Sequence, residues 1–160
     1  MGSNELSVQL WRERELLELV LFKLEEQQLL LEAGRSRWIQ HATRELEQVL
    51  ERLRGTGMSR AVEVAATAAE WDVPDAITLR DLIAHAPEGP WGEIFSDHLR
   101  ALTQLTAEIA HMRDTNEQQL RLVLRATQET IASLGIDTGE YTTRGDKAGD
   151  DSARIIDTDI

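Results

Sequence analysis

Apolar residues recur at helical spacing along most of the chain. From Pro90 to Leu134 the series runs Trp91, Phe95, Leu102, Leu105, Ile109, Met112, Leu120, Val123, Thr127, Ile131 and Leu134, with Gly92 the only glycine and no further proline. An uninterrupted helix of that length reaches roughly 65 Å at ~1.5 Å per residue, longer than a compact domain of this size needs. A rod offers contact surface rather than a pocket, so the pattern points towards a protein that holds other proteins.

Upstream, Asn4 or Ser7 can cap a first helix running to about Ala33. Leu10, Leu17, Leu24 and Leu31 fall seven apart, and Leu6, Val20 and Leu21 widen the stripe. Heptad spacing asks for partner helices. Gly34 stops this helix and Ser36 caps a second, Arg37 to Arg54, with Ile39, Ala42, Leu46, Val49, Leu50 and Leu53 inward. Gly55-Thr56-Gly57 is expected to break it. A third segment, Met58 to Trp71, carries a small-residue face of Ala61, Ala65, Ala68 and Ala69. After a turn around Pro74, Thr78-Leu79-Arg80-Asp81 resembles a capping box with Asp in place of Glu or Gln, opening a short helix to about Ala86. Pro87-Glu88-Gly89-Pro90 is a hard break, with Pro90 suited to the first turn of the long helix. Thr115, Asn116, Gln118 and Gln119 interrupt that helix's apolar series. Such residues fix register in a buried seam, or mark where a helix leaves its bundle.

Beyond Gly135 the periodicity stops. The stretch is rich in Gly, Asp, Thr and Ser, and a disordered acidic tail is expected. Ile155-Ile156 and Ile160 are its exception, and Ile155 and Ile156 are candidates for tail docking. The expected architecture is all-α: an elongated antiparallel helical bundle or coiled coil with one very long C-terminal helix. Residues 1–135 form the helical domain and 136–160 the tail.

Composition supports this reading. Leu, Ala, Glu, Gln and Arg are strong helix formers; 41% of the 160 residues are hydrophobic, enough for a core, and 4% are aromatic. Alternating β-branched runs with turn pairs are missing. The net charge of -12 argues against nucleic acid and anionic membrane surfaces, which want a basic face. With no cysteine there are no disulfides, thiol catalysis or cysteine metal sites. No segment approaches the ~20 apolar residues of a membrane span and no signal peptide is visible, so a soluble cytoplasmic protein is the expectation.

Chemistry is hard to find. No two of His41, His85, His98 and His111 stand four apart, the spacing that shares a metal on one helical face. Glu108-Ile109-Ala110-His111 is a single Glu-x-x-His, whereas di-iron bundles need two plus further glutamates. Ser96-Asp97-His98 has the residue types of a hydrolase triad, but consecutive helical residues point apart. Glu25-Glu26 reads as a solvated pair and Arg144-Gly145-Asp146 as coincidence. Trp11, Trp38, Trp71 and Trp91 fall near predicted helix ends, where an indole can cap a bundle layer with its nitrogen on water or a carbonyl. No enzyme, metal or cofactor is expected.

Leu10-Trp11-Arg12-Glu13-Arg14-Glu15-Leu16-Leu17-Glu18 and Phe22-Lys23-Leu24-Glu25-Glu26 resemble the start of FlgN-type flagellar chaperones of the high-GC Gram-positive kind. The resemblance continues through Trp38, Arg44-Glu45-Leu46-Glu47, Arg60-Ala61, Ala86-Pro87, Pro90-Trp91 and the long helix to Tyr141-Thr142-Thr143-Arg144-Gly145 and Ile155-Ile156-Asp157. It implies a cytoplasmic chaperone of flagellar type III export. Such a chaperone binds hook–filament junction (hook-associated) proteins, prevents their early assembly and presents them to the export machinery. It also implies a C-terminal helical cargo site, which maps here onto Leu120, Val123, Leu124, Thr127, Ile131 and Leu134. The alternative is a self-associating coiled-coil protein, structural or regulatory, with Leu10, Leu17, Leu24 and Leu31 as a homodimer seam. A ferritin-like enzyme is a third reading, settled by metal analysis.

Overall fold

The computed structural model describes residues 2–73 and 78–156, with side chains as far as residue 135. The fold is all-α, with no strand among the described residues. Its helices are α1 (Gly2–Glu32), α2 (Ser36–Glu70), α3 (Leu79–Ala84) and α4 (Trp91–Ile156). Residues 1–117 form one compact unit and residues 118–160 a second. The side chains of the expected tail, 136–160, lie outside the described residues.

In the first unit α1 and α2 form an antiparallel pair, and the first part of α4 packs on them. Leu10, Leu17, Leu24 and Leu31 are all buried, so the heptad series is a seam within the chain's own bundle rather than one left open for a second copy. The α1 stripe is broad because α1 faces two partners. Leu6, Leu10 and Leu17 meet Val64 and Ala68 of α2, Leu79 and Leu82 of α3, and Phe95 and Leu102 of α4. Leu16, Val20 and Leu24 pack with Val49, flanked by Ile109 and Met112.

Hydrogen bonds fix the ends of the antiparallel pair. The Glu70 carboxylate at the end of α2 accepts from the Ser3 backbone N–H (3.3 Å) and from Ser3 Oγ (3.4 Å), and Ser3 Oγ accepts from Trp71 Nε1 (3.1 Å). The acid thereby meets the unsatisfied N–H groups of the α1 N-terminus, where a negative charge is favoured. The two helices touch closely there: a Cβ at Gly2 would stand 3.2 Å from the Thr67 backbone.

Gly34 ends α1 as expected. With φ at 65°, it lets Arg35 N–H reach the Leu30 carbonyl (2.9 Å) while its own N–H reaches Leu31 (3.2 Å), the paired bonds of a Schellman motif. Asp72 (φ 50°) closes α2 in the same way, with Val73 N–H on Ala68 at 2.9 Å. The Thr78 capping box also forms. Asp81 N–H donates to Thr78 Oγ1 and Thr78 N–H to Asp81 Oδ2, both at 3.1 Å, so the shorter Asp side chain serves.

Several expected boundaries move. Helix α1 starts at Gly2, placing Asn4 and Ser7 inside it and Trp11 well away from an end. Ser36 is the first residue of α2, not its cap; Arg35 holds the cap position without a side-chain bond. Pro90 lies one residue before α4 and contributes its carbonyl to the Ile94 N–H at 3.0 Å. The largest change is at Gly55-Thr56-Gly57. The helix does not break there, and the expected second and third segments are one helix of 35 residues. Each glycine costs about 1 kcal/mol relative to alanine in a helix. Tertiary contacts outweigh that: Gln9 Nε2 donates to the Thr56 carbonyl (3.0 Å), Arg60 pairs with Glu13 (2.6 Å), and Leu53 and Val64 join the core on either side. Of the expected alanine face only Ala68 is buried; the packing residues are Val64, Thr67 and Ala68.

Candidate protein-binding site

The bundle's core closes towards Glu117 with a polar layer. Asn116, buried on α4, donates from Nδ2 to the Leu24 carbonyl (2.8 Å) and to Gln27 Oε1 (3.1 Å) on α1. Gln27 Nε2 donates to Thr43 Oγ1 on α2 (3.0 Å), and Thr43 Oγ1 donates to the Ile39 carbonyl (2.9 Å). One hydrogen-bonded chain thus crosses all three long helices and fixes the register of α4. Both readings of the polar interruption hold: Asn116 lies in a buried seam, and the compact unit ends one residue later, at Glu117. Asn116→Ala strips the Gln27 amide oxygen of its donor inside the core. An unsatisfied buried polar group costs about 1–3 kcal/mol, so a loss in that range is expected in urea denaturation, and Asn116→Gln should not restore the chain's geometry.

From residue 120 to 134 the apolar residues of α4 are mostly exposed. Leu124, Ile131 and Leu134 are 58%, 63% and 60% exposed, Val123 is exposed, Thr127 is exposed and Leu120 is half-buried. At 100° per residue these six positions share one face of the helix. The Thr127 hydroxyl is spent on the Val123 carbonyl (2.9 Å). The structure therefore places every residue of the expected cargo strip on one face. Ile155 and Ile156 have side chains outside the described residues.

Other apolar residues are exposed as well. Leu122 (62%) lies on the far side of α4 from the strip. Val8, Trp11, Phe22 and Leu29 are exposed along the outer face of α1. Val8, Phe22 and Leu29 form a second sevenfold series, but Glu15 occupies its missing place and hides it beside the stronger leucine series.

The residue groups with catalytic or metal-binding side-chain types come apart. Ser96 Oγ donates to the Gly92 carbonyl (2.7 Å), Asp97 pairs with Arg100 (3.0 Å), and His98 points into the core. Glu108 accepts from Gln104 rather than facing His111. Among the described residues no group of three or more His, Asp or Glu could hold a metal, and no helix is long and apolar enough to cross a membrane. The tryptophans divide. Trp71 and Trp91 pack on Phe95 at 5.8 and 5.5 Å, while Trp11 and Trp38 are half-exposed under Arg14 and Arg37 at 4.3 and 4.4 Å.

His98 has a titration that matters for stability. Burial disfavours its cation, the Arg14 guanidinium adds to this, and Asp97 only partly opposes them, so its pKa lies below the usual 6.5. The unfolded chain then binds the proton more readily than the folded one. This contribution to stability is complete above pH 6.5 and falls away as pH drops from there towards the folded pKa. His98→Leu should flatten the melting temperature against pH across that window.

These features are a helical bundle that buries its own core and, at residues 120–134, an exposed apolar strip on one face of α4. The family model described as FlgN protein matches residues 1–149, and the chain belongs to that family. The family is one of flagellar export chaperones, cytoplasmic and not known as enzymes. No curated protein and no solved structure matches the chain.

Proposed function

We propose that the chain is an export chaperone for hook–filament junction proteins and holds them on the α4 strip. The observation that carries this is the exposed apolar strip of α4 beyond the Asn116 layer, after the bundle has met its own packing needs. Cargo would supply an amphipathic terminal helix that otherwise packs in a polymer, read by anchors at i, i+3, i+4 and i+7 spacing. A well-buried Leu or Ile side chain contributes about 1.5–3 kcal/mol before ordering costs. A handful reaches the ~8 kcal/mol of a micromolar complex. That affinity suits a chaperone that must release its cargo at the export gate. In this reading 1–135 is the chaperone domain and 136–160 a tail whose Ile155 and Ile156 contact cargo or export machinery.

The test is co-purification of the full chain with hook-associated proteins, with sedimentation of the free and loaded forms. A complex that replaces any self-association supports the proposal. A dimer indifferent to cargo supports the self-associating alternative.

A further inference from the structure

A second surface lies inside the first unit, on α2, α3 and the earlier part of α4. Between the later half of α2, the start of α3 and the first part of α4 runs an open groove with a cavity volume of 760 Å³. It continues into a depression of 490 Å³ that shares Arg80, Leu99, Thr103 and Ala107 with it. Its walls are small or apolar: Gly57, Ala61 and Val64 from α2, and Leu99, Leu102 and Ala107 from α4. Small residues on facing helices let a third backbone approach closely. Of the expected alanine face, Ala61 lines this groove.

The charge of this groove runs against the rest of the molecule. The chain carries -12, yet no Asp or Glu lines either depression, while Arg60, Arg80 and Arg100 do. Arg60 is paired with Glu13 at 2.6 Å and Arg100 with Asp97 at 3.0 Å; exposed Arg80 has no ion-pair partner among the described residues. Arg80 is thus the uncompensated charge at the rim of an apolar floor, and that combination fits one kind of guest. We infer that this groove docks an amphipathic helix of a partner protein whose apolar stripe is flanked by acidic residues. A basic helix would be drawn to the chain at large but repelled from this rim. The inference does not depend on where cargo binds: the strip lies at residues 120–134 and the groove entirely at 57–110.

The probe is a synthetic helical peptide of about five turns, with leucines at i, i+3, i+4 and i+7 flanked by glutamates, alongside a twin with lysine for every glutamate. Both are titrated into the ¹⁵N-labelled full chain. The expected result is preferential binding of the glutamate peptide, with amide shifts concentrated in 57–64 and 99–110. Arg80→Glu with Arg100→Glu should weaken that peptide about tenfold at low salt and less at high salt, because exposed charges are screened, and should improve the lysine twin. Ala107→Trp, at an exposed position, should fill the groove and remove both effects while leaving the helical circular dichroism intact. Equal or better binding of the lysine twin to the unaltered chain overturns the inference. So does absence of binding, or shifts confined to residues beyond 117. A Val123→Asp/Ile131→Asp chain that still binds the glutamate peptide separates failure of the cargo reading from failure of this one.

Discussion

Replacing Phe95 with alanine is expected to destabilise the bundle by about 3–5 kcal/mol. Phe95 is the largest fully buried side chain among the described residues, at 0% exposure. It lies between the Trp71 and Trp91 rings, with planes tilted by 33° and 27°, where α2 ends and α4 begins. Removing it leaves two indoles facing a void that neither can fill, since Trp71 is held by its hydrogen bond to Ser3 (3.1 Å). Domains of this kind have about 5–15 kcal/mol to lose, so the substitution takes a large share. Urea denaturation followed by circular dichroism measures it. Phe95→Leu, which keeps most of the volume, should recover more than half of the loss. A midpoint unchanged by Phe95→Ala would mean that these helix ends do not pack as described.

Val123→Asp with Ile131→Asp is expected to weaken cargo capture by about 10²–10⁴-fold. Two buried aliphatic side chains contribute about 3–6 kcal/mol together, and about 1.4 kcal/mol is a factor of ten. Both residues are exposed in the free chain, so the bundle's unfolding midpoint should stay nearly unchanged. The measurement is titration of a hook-associated protein into each form, with thermal unfolding as the control. Undiminished affinity would move the cargo site off the strip.

The long helices were legible because their signals are local and redundant. Leucines seven apart in α1, the stop at Gly34, and forty-odd residues without an interior breaker in α4 all say the same thing. The continuity of α2 was illegible for the opposite reason. Read locally, Gly55-Thr56-Gly57 is a stop, and only the long-range bonds from Gln9 and Glu13 carry the helix through it. The α4 strip could be placed from periodicity and family resemblance. Periodicity alone could not tell which half of α4 its own bundle consumes, since Leu105 and Ile131 look alike until Asn116 is seen to bond α1. The groove was harder still. Alanine, glycine and threonine carry little pattern, and what distinguishes it is the meeting of three helices distant in sequence.

The unbroken passage of α2 through Gly55 and Gly57 has a dynamic consequence. Nothing lies within 4 Å of where a Cβ would project from either, so this turn of helix is braced from one side only. Its amide protons should trade for deuterium sooner than those around Val49 or Val64, and it is where α2 can flex without disturbing the leucine seam. Since Gly57 borders the groove, a guest lying there would brace this turn from its open side, and part of its binding energy would go into ordering it.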